Sequence, residues 1–248
     1  MRYWATLGAA SSDGETIRKM FENGMTGIRL DLAGCTVERY APLLKTVRAA
    51  AEAAGIKDYA VAMDMQGPDE DDPASGALTA DDRASIALAA KYGITHLMQP
   101  FVRGKKDVEE IRAALAGAGM ASIPIMSKIE NRAGLEKLGE IVSASDEVCV
   151  ARGDLGRNIP LYELPAAQKA VGRACRSAGK PMLVVNQLLA SMEQKEVPTR
   201  AEVCDVYNAV LDGAETLLLV AETKNGAHPA EAIRWLKLVG DEAEKAIS

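Results

Sequence analysis

Short apolar runs, each closed by polar or charged residues, alternate along the chain with longer stretches whose apolar positions recur at helical spacing. Arg2 to Gly8 is the first run. Ser11-Ser12-Asp13 then offers helix N-caps, Ile17, Met20 and Phe21 form an i, i+3, i+4 stripe, and Gly24 stops it. Thr26 to Leu32 predicts a second strand, Val37 to Ala54 a helix ended by Gly55, and Asp58 to Met65 a third strand. The polar segment Asp69 to Gly76 reads as an exposed loop. Thr79 then caps a helix over 80–91, with Gly93 as its stop. Thr95 to Val102 and Lys105 to Ala116 make the fourth pair. Ile123 to Asn131, Arg132 to Val142 and Glu147 onward give the fifth strand, its helix and the sixth strand. Leu164 to Ser177 is helical up to Gly179, Pro181 to Leu188 is strand seven, Thr199 to Leu211 a helix and Thr216 to Ala221 strand eight. Pro229 opens the last helix.

Strict alternation of strand and helix implies a parallel sheet, and eight units imply closure into a (β/α)8 TIM barrel, read here as a single domain over 1–248. The strands are continuously apolar, as strands covered on both faces by helices should be. The length of 248 residues fits this fold. An open doubly wound sheet is the alternative, but no GxGxxG follows the first strand. Composition alters little. With 48% hydrophobic but only 4% aromatic residues, the core is aliphatic. A net charge of −6 without basic blocks speaks against nucleic-acid or anionic-membrane partners. Four scattered cysteines suggest neither a disulfide framework nor a zinc site, and no apolar run approaches a membrane span, so a cytoplasmic protein is expected.

Charge collects where the strands end, the face on which TIM barrels carry their active sites. Strand two brings Arg29 and Asp31, strand three Asp64, strand five Lys128, Glu130 and Asn131, strand six Arg152 and Asp154, strand seven Asn186, and strand eight Glu222. Period two puts Lys128 and Glu130 on one face, and Arg152 and Asp154 likewise if strand six runs that far. Glu130 and Asp154 on neighbouring strands suit one hard cation, since Mg²⁺ uses one or two carboxylates with substrate oxygens and water. Lys128 would then face developing negative charge, and the Gly153-Asp154-Leu155-Gly156 turn would offer N–H groups to an anion. Structural salt bridges closing the barrel are the competing reading, for Asp31, Asp64 and Glu222 above all.

With these residues in view, the chain resembles the catalytic barrel of the pyruvate kinases over nearly its whole length. The match runs through ATLGAASSD (5–13), MDMQGP (63–68), SKIENRAG (127–134), VARGDLGRNIP (150–160), PTRAEVCDVYNAVLDGAE (198–215) and AETKNG (221–226). The resemblance implies that Glu130 and Asp154 hold Mg²⁺ (or Mn²⁺). It implies that Lys128 stabilises the transferring phosphoryl group and the enolate, and that Arg29 contacts the phosphoryl group. Gly153 and Asp154 match the turn whose amides bind the substrate carboxylate, and Asp64 an aspartate that helps hold a monovalent cation; Arg152 and Asn186 are further substrate-binding candidates, and Asp31 and Glu222 further candidates for a monovalent-cation or supporting site. It further implies a homo-oligomer, through 157–165 and the helix from Thr199.

The departures shape the expected activity. The family inserts a lid domain after its DTKGPEIR segment, whereas MDMQGPDEDDPASG here runs straight into the next helix, with Asp71 at the arginine position. Asp31, Ala33 and Met65 replace potassium-site residues, which puts K⁺ in question, and Asn186 replaces a threonine tied to proton delivery. A C-terminal domain is also not expected. The reading preferred from sequence is therefore Mg²⁺-dependent enolate chemistry on pyruvate, phosphoenolpyruvate or a related 2-oxo acid, as a carbon–carbon lyase, aldolase, decarboxylase or transferase without ATP. The alternatives are a minimal lid-less pyruvate kinase and a non-catalytic subunit that binds a 2-oxo acid.

Overall fold

A computed structural model describes residues 1–67 and 75–247. Eight strands, β1 Arg2–Thr6, β2 Gly27–Asp31, β3 Ala60–Asp64, β4 His96–Gln99, β5 Ile125–Ile129, β6 Glu147–Ala151, β7 Met182–Val185 and β8 Ala214–Leu219, are hydrogen-bonded in sequence order into a closed barrel. The pairs β1–β2, β1–β8, β3–β4, β4–β5 and β5–β6 are all parallel. The helices are α1 Gly14–Glu22, α2 Ala41–Ala53, α3 Ala80–Tyr92, α4 Lys105–Gly117, α5 Arg132–Glu136, α6 Leu138–Ala144, α7 Arg152–Asn158, α8 Leu164–Ala178, α9 Arg200–Leu211, α10 Ala221–Lys224 and α11 Pro229–Glu244. The expected (β/α)8 fold is the one observed. Positions 69–74 of the expected polar loop, Asp71 among them, lie outside the described residues.

Chain contacts define two compact units: residues 1–29, 41–60 and 183–248, and residues 30–40 and 61–182. In the first, Trp4 and Thr6 register with Gly27 and Arg29, while Tyr3, on the opposite face of β1, donates its hydroxyl to Asp241 of α11 at 2.6 Å. Gly27 is dictated by packing. A Cβ there would lie 2.6 Å from Trp4 Nε1 and 2.8 Å from the Ala60 Cβ. The α1 stripe of Ile17, Met20 and Phe21 is buried as its spacing requires, and the Asp13 carboxylate accepts from Thr16 N–H as the cap. Thr199 and Glu202 form a capping box on α9, and the Glu202 carboxylate also accepts from Ser191 N–H and Oγ.

In the second unit, the strand faces follow from register. Asp64 pairs with Met98 and Met98 with Met126, so Lys128, two residues on, shares their face. Ser127 turns the other way and meets Ser145 Oγ, at the end of α6, at 2.6 Å. β5 and β6 are buried at every position. α3 starts at a Thr79–Asp82 capping box and stops at left-handed Gly93 (φ 70°).

Three local expectations need correction. Residues 152–156 are the beginning of α7, not a turn extending β6, so Arg152 and Asp154, two apart on a helix, do not share a face. Glu222 lies in the one-turn helix α10, because the chain leaves β8 at Leu219. The helix expected over 132–142 is two helices, α5 and α6, meeting at Lys137.

Candidate active site

The chemical centre of the second unit is a buried trio at the ends of β3 and β5. Lys128 Nζ lies 3.1 Å from Asp64 Oδ2 and 3.0 Å from Glu130 Oε1. Glu130 is 1% exposed, Asp64 2% and Lys128 8%. Period two predicts the Lys128–Glu130 proximity, and the register across β4 brings Asp64 to the same ammonium. The Lys128 ammonium thus contacts two carboxylates in a desolvated place, and burial acts most strongly on Glu130. Burial holds its carboxyl above the usual carboxylate range. The neighbouring Lys128 opposes the rise, the Asp64 charge reinforces it, and a hydrogen bond from Phe101 N–H opposes it again.

That last bond comes from an unusual backbone. Phe101, just past β4, has φ 49°, and its N–H donates to Glu130 Oε2 at 2.7 Å. A bulky residue in the left-handed region costs roughly 1–3 kcal/mol and persists only where its surroundings enforce it. Glu130 is therefore gripped on both oxygens. Asn131, which follows, is a helix cap: its Oδ1 accepts from Gly134 N–H at 2.9 Å.

The other expected residues are placed as follows. Asp154, in the first turn of α7, has Oδ1 2.9 Å from a guanidinium nitrogen of Arg157, whose side chain is 81% exposed. Such a surface pair contributes little, so it leaves the carboxylate open to exchange its partner for a cation. Arg152 and Gly153 belong to the same first turn. The Asp31 carbonyl accepts from the Tyr40 hydroxyl at 2.6 Å. In the first unit, an Arg29 guanidinium nitrogen donates to Thr6 Oγ1 at 3.2 Å. Asn186 and Gln187 follow β7 with φ 78° and 52°, two consecutive left-handed non-glycine residues. Glu222 is buried and accepts from the Leu189 and Val220 N–H groups, each at 3.0 Å, so its carboxylate anchors loops of that unit.

Two residues escaped the sequence. Nothing in Gln99-Pro100-Phe101 signals a left-handed Phe101. The Thr79-x-x-Asp82 pattern does signal a helix cap, but not that the Asp82 carboxylate also accepts from Gln66 N–H at 2.8 Å and Gly67 N–H at 3.0 Å.

For a divalent cation, Glu130 and Asp154 offer the right kind of donor, hard carboxylate oxygens, one buried at the end of β5 and one half-buried in the first turn of α7. Among the described residues no three His, Cys, Asp or Glu side chains gather as a self-sufficient metal centre. Substrate or water oxygens would have to complete the coordination.

Residues 72–233 match the family model described as pyruvate kinase, barrel domain. The chain belongs to the pyruvate kinase family. Among relatives, it is 44% identical over 170 residues to a pyruvate kinase of Thermotoga maritima, covering 68% of this chain and 36% of that protein. It is 38% identical over 168 residues to a pyruvate kinase of Borreliella burgdorferi (68% and 35%) and 40% identical over 170 residues to one of Geobacillus stearothermophilus (68% and 29%). The chain spans about a third of the length of these curated relatives. Lys128, Glu130 and Asp154 fall inside the stretch matched to the pyruvate kinase barrel, whereas Arg29, Asp31 and Asp64 precede it. Among the described residues no helix is long and apolar enough to cross a membrane.

Proposed function

We propose that the chain carries out pyruvate-kinase-type chemistry, moving a phosphoryl group between phosphoenolpyruvate and a nucleoside diphosphate with Mg²⁺ or Mn²⁺. The observation that carries this reading is the Lys128 ammonium in contact with buried Glu130 and Asp64, with Lys128 and Glu130 inside the stretch that matches the pyruvate kinase barrel. The relatives reported above are named pyruvate kinases, so the lyase or aldolase chemistry preferred from the sequence has no support among them. The phosphoryl-transfer alternative is the better reading.

In it, Glu130 and Asp154 would hold the cation, which would supply positive charge to offset that of the substrate. As the bond between phosphorus and the enol oxygen breaks, negative charge grows on that oxygen, and the Lys128 ammonium is the chain's own group to stabilise it. Asp64 holds that ammonium in place, while the Phe101 N–H fixes the carboxylate of Glu130. The first turn of α7, carrying Arg152, Gly153 and Asp154, is the proposed seat of the substrate carboxylate.

One observation favours a second reading, enolate chemistry on a 2-oxo acid without nucleotide: only residues 65–79 connect β3 to α3, where the family's resemblance calls for a lid. Phosphorus NMR of phosphoenolpyruvate with Mg²⁺, with and without ADP, decides between them. The kinase reading expects ATP to appear only with ADP. A phosphoenolpyruvate signal unchanged with ADP, alongside turnover of a 2-oxo acid without it, would reject the kinase reading in favour of the second.

A homo-oligomer belongs to the same proposal. Leu161 and Tyr162, 71% and 83% exposed, sit inside the segment 157–165 that the resemblance places at subunit contacts. Tyr162→Asp is expected to shift sedimentation toward monomer. An unchanged sedimentation coefficient, or a monomeric wild type, counts against that assembly surface.

A further inference from the structure

We propose that Asp82 is a positioning residue for the Lys128–Glu130 site, acting through the backbone of Gln66 and Gly67 and through the Pro100-Phe101 turn. The inference rests on the metal-binding role of Glu130 for its functional consequence, but its structural step stands by itself.

Asp82 is 1% exposed. Its Oδ1 accepts from Gln66 N–H at 2.8 Å, and its Oδ2 from Gly67 N–H at 3.0 Å and Thr79 N–H at 2.9 Å. A helix cap needs only one such bond. The other two reach across to the segment that leaves β3 directly after Asp64, and Met65 N–H ties that segment to the Met98 carbonyl at 3.1 Å. The exit of β3 is thus fastened at three successive residues.

What it is fastened against matters. Gly67 is left-handed, and the Pro100 ring occupies the place where a side chain at 67 would be: a Cβ there would lie 2.3 Å from Pro100 Cγ. Proline has a fixed φ and no N–H of its own to anchor it, so it is held by packing, and Gly67 is one face of that packing. The next residue is Phe101, whose left-handed backbone aims its N–H at Glu130 Oε2. A strained conformation of this kind has to be imposed by its neighbours, and the Gly67–Pro100 contact is the neighbour on the chain side. Asp82 therefore lies at the head of a contact series that runs through Gly67, Pro100 and Phe101 to Glu130, all within one compact unit.

Asp82→Asn tests it, because an amide has one acceptor oxygen and would set its NH₂ against at least one of the three N–H groups. The two readouts are hydrogen exchange at the Phe101 amide, by NMR, and Mn²⁺ affinity, by electron paramagnetic resonance. In Asp82→Asn the Phe101 amide should exchange about tenfold faster or more, and Mn²⁺ should bind about 10- to 100-fold more weakly, the usual effect of losing a group that orients a metal ligand. Gly67→Ala leaves Asp82 intact, disturbs the same contact with Pro100, and should do likewise, so it serves if Asp82→Asn fails to fold. Thr79→Val is the control. It removes the hydroxyl that accepts from Asp82 N–H at 3.1 Å, weakening the cap, but leaves both readouts at the wild-type level. If Phe101 exchange in Asp82→Asn and Gly67→Ala matches Thr79→Val, Asp82 is only a helix cap and the proposal fails. If wild type takes up no Mn²⁺, the metal role of Glu130 and Asp154 fails instead, while Phe101 exchange still decides the positioning role.

Discussion

Lys128→Met is expected to remove turnover and destabilise the fold at the same time. The ammonium sits 3.1 Å from Asp64 and 3.0 Å from Glu130, and both carboxylates are almost wholly buried. Taking one partner out of a buried ion pair costs about 3–5 kcal/mol, because the remaining charge keeps its desolvation penalty without its compensation. Urea unfolding should report a loss of that order. Turnover should fall by about a hundred- to a thousandfold, the range seen when one preorganised group facing a developing oxyanion is deleted. Adding Asp64→Asn in the Lys128→Met background should recover much of the stability, since it withdraws one of the two negative charges, but none of the turnover. A Lys128→Met variant with wild-type stability and turnover would mean that the trio is neither a charge-balanced core nor a catalytic site.

Glu130→Gln should separate those two effects. The substitution keeps the shape of the side chain, and its amide oxygen can still accept from Phe101 N–H, while Lys128 keeps Asp64. Turnover is expected to drop by about a hundredfold or more as the proposed cation loses a charged ligand. Stability should hold or increase at neutral pH. The reason is linkage: burial, opposed by Lys128, holds the folded-state carboxyl above the range it has in the unfolded chain, so between the two values the folded protein binds more protons. Stability from this group is accordingly greatest at acid pH and declines as pH rises through and above the ordinary carboxylate range. Unfolding curves of wild type and Glu130→Gln recorded across that range should diverge in favour of the variant as pH rises. A variant that loses stability with rising pH relative to wild type would reverse that sign and contradict the burial argument.

The barrel was legible because each of its parts leaves an independent mark. Ile125–Ile129 and Glu147–Ala151 are buried at every position and read as short, largely apolar runs, and Thr79, Thr199, Gly93 and Gly179 mark helix ends by their own conformational preferences. The Lys128–Glu130 contact was legible because the two-residue alternation of β5 carries over to Glu130, one residue past the strand's end at Ile129. Arg152–Asp154 and Glu222 were not. There the chain enters a helix at or soon after the strand ends, and charged residues look alike after an apolar run whether the backbone goes on extended or turns helical. Phe101 and Asp82 were hidden for a different reason. A positive φ at phenylalanine is imposed from outside, and the second use of the Asp82 carboxylate depends on Gln66 and Gly67, distant in sequence, meeting the first turn of α3.

Stabilisation of an enolate by Lys128 and by the cation that Glu130 would hold is common to both functional readings, and solvent exchange at the methyl group of pyruvate measures it most directly. Proton NMR in deuterated buffer with Mg²⁺ should show wild type replacing methyl protons by deuterium well above the rate of Mg²⁺ alone, with the exchange lost in Glu130→Gln and in Lys128→Met. Exchange no faster than the metal-ion background, or exchange equally fast in both variants, would contradict the assignment of the buried trio as the catalytic centre.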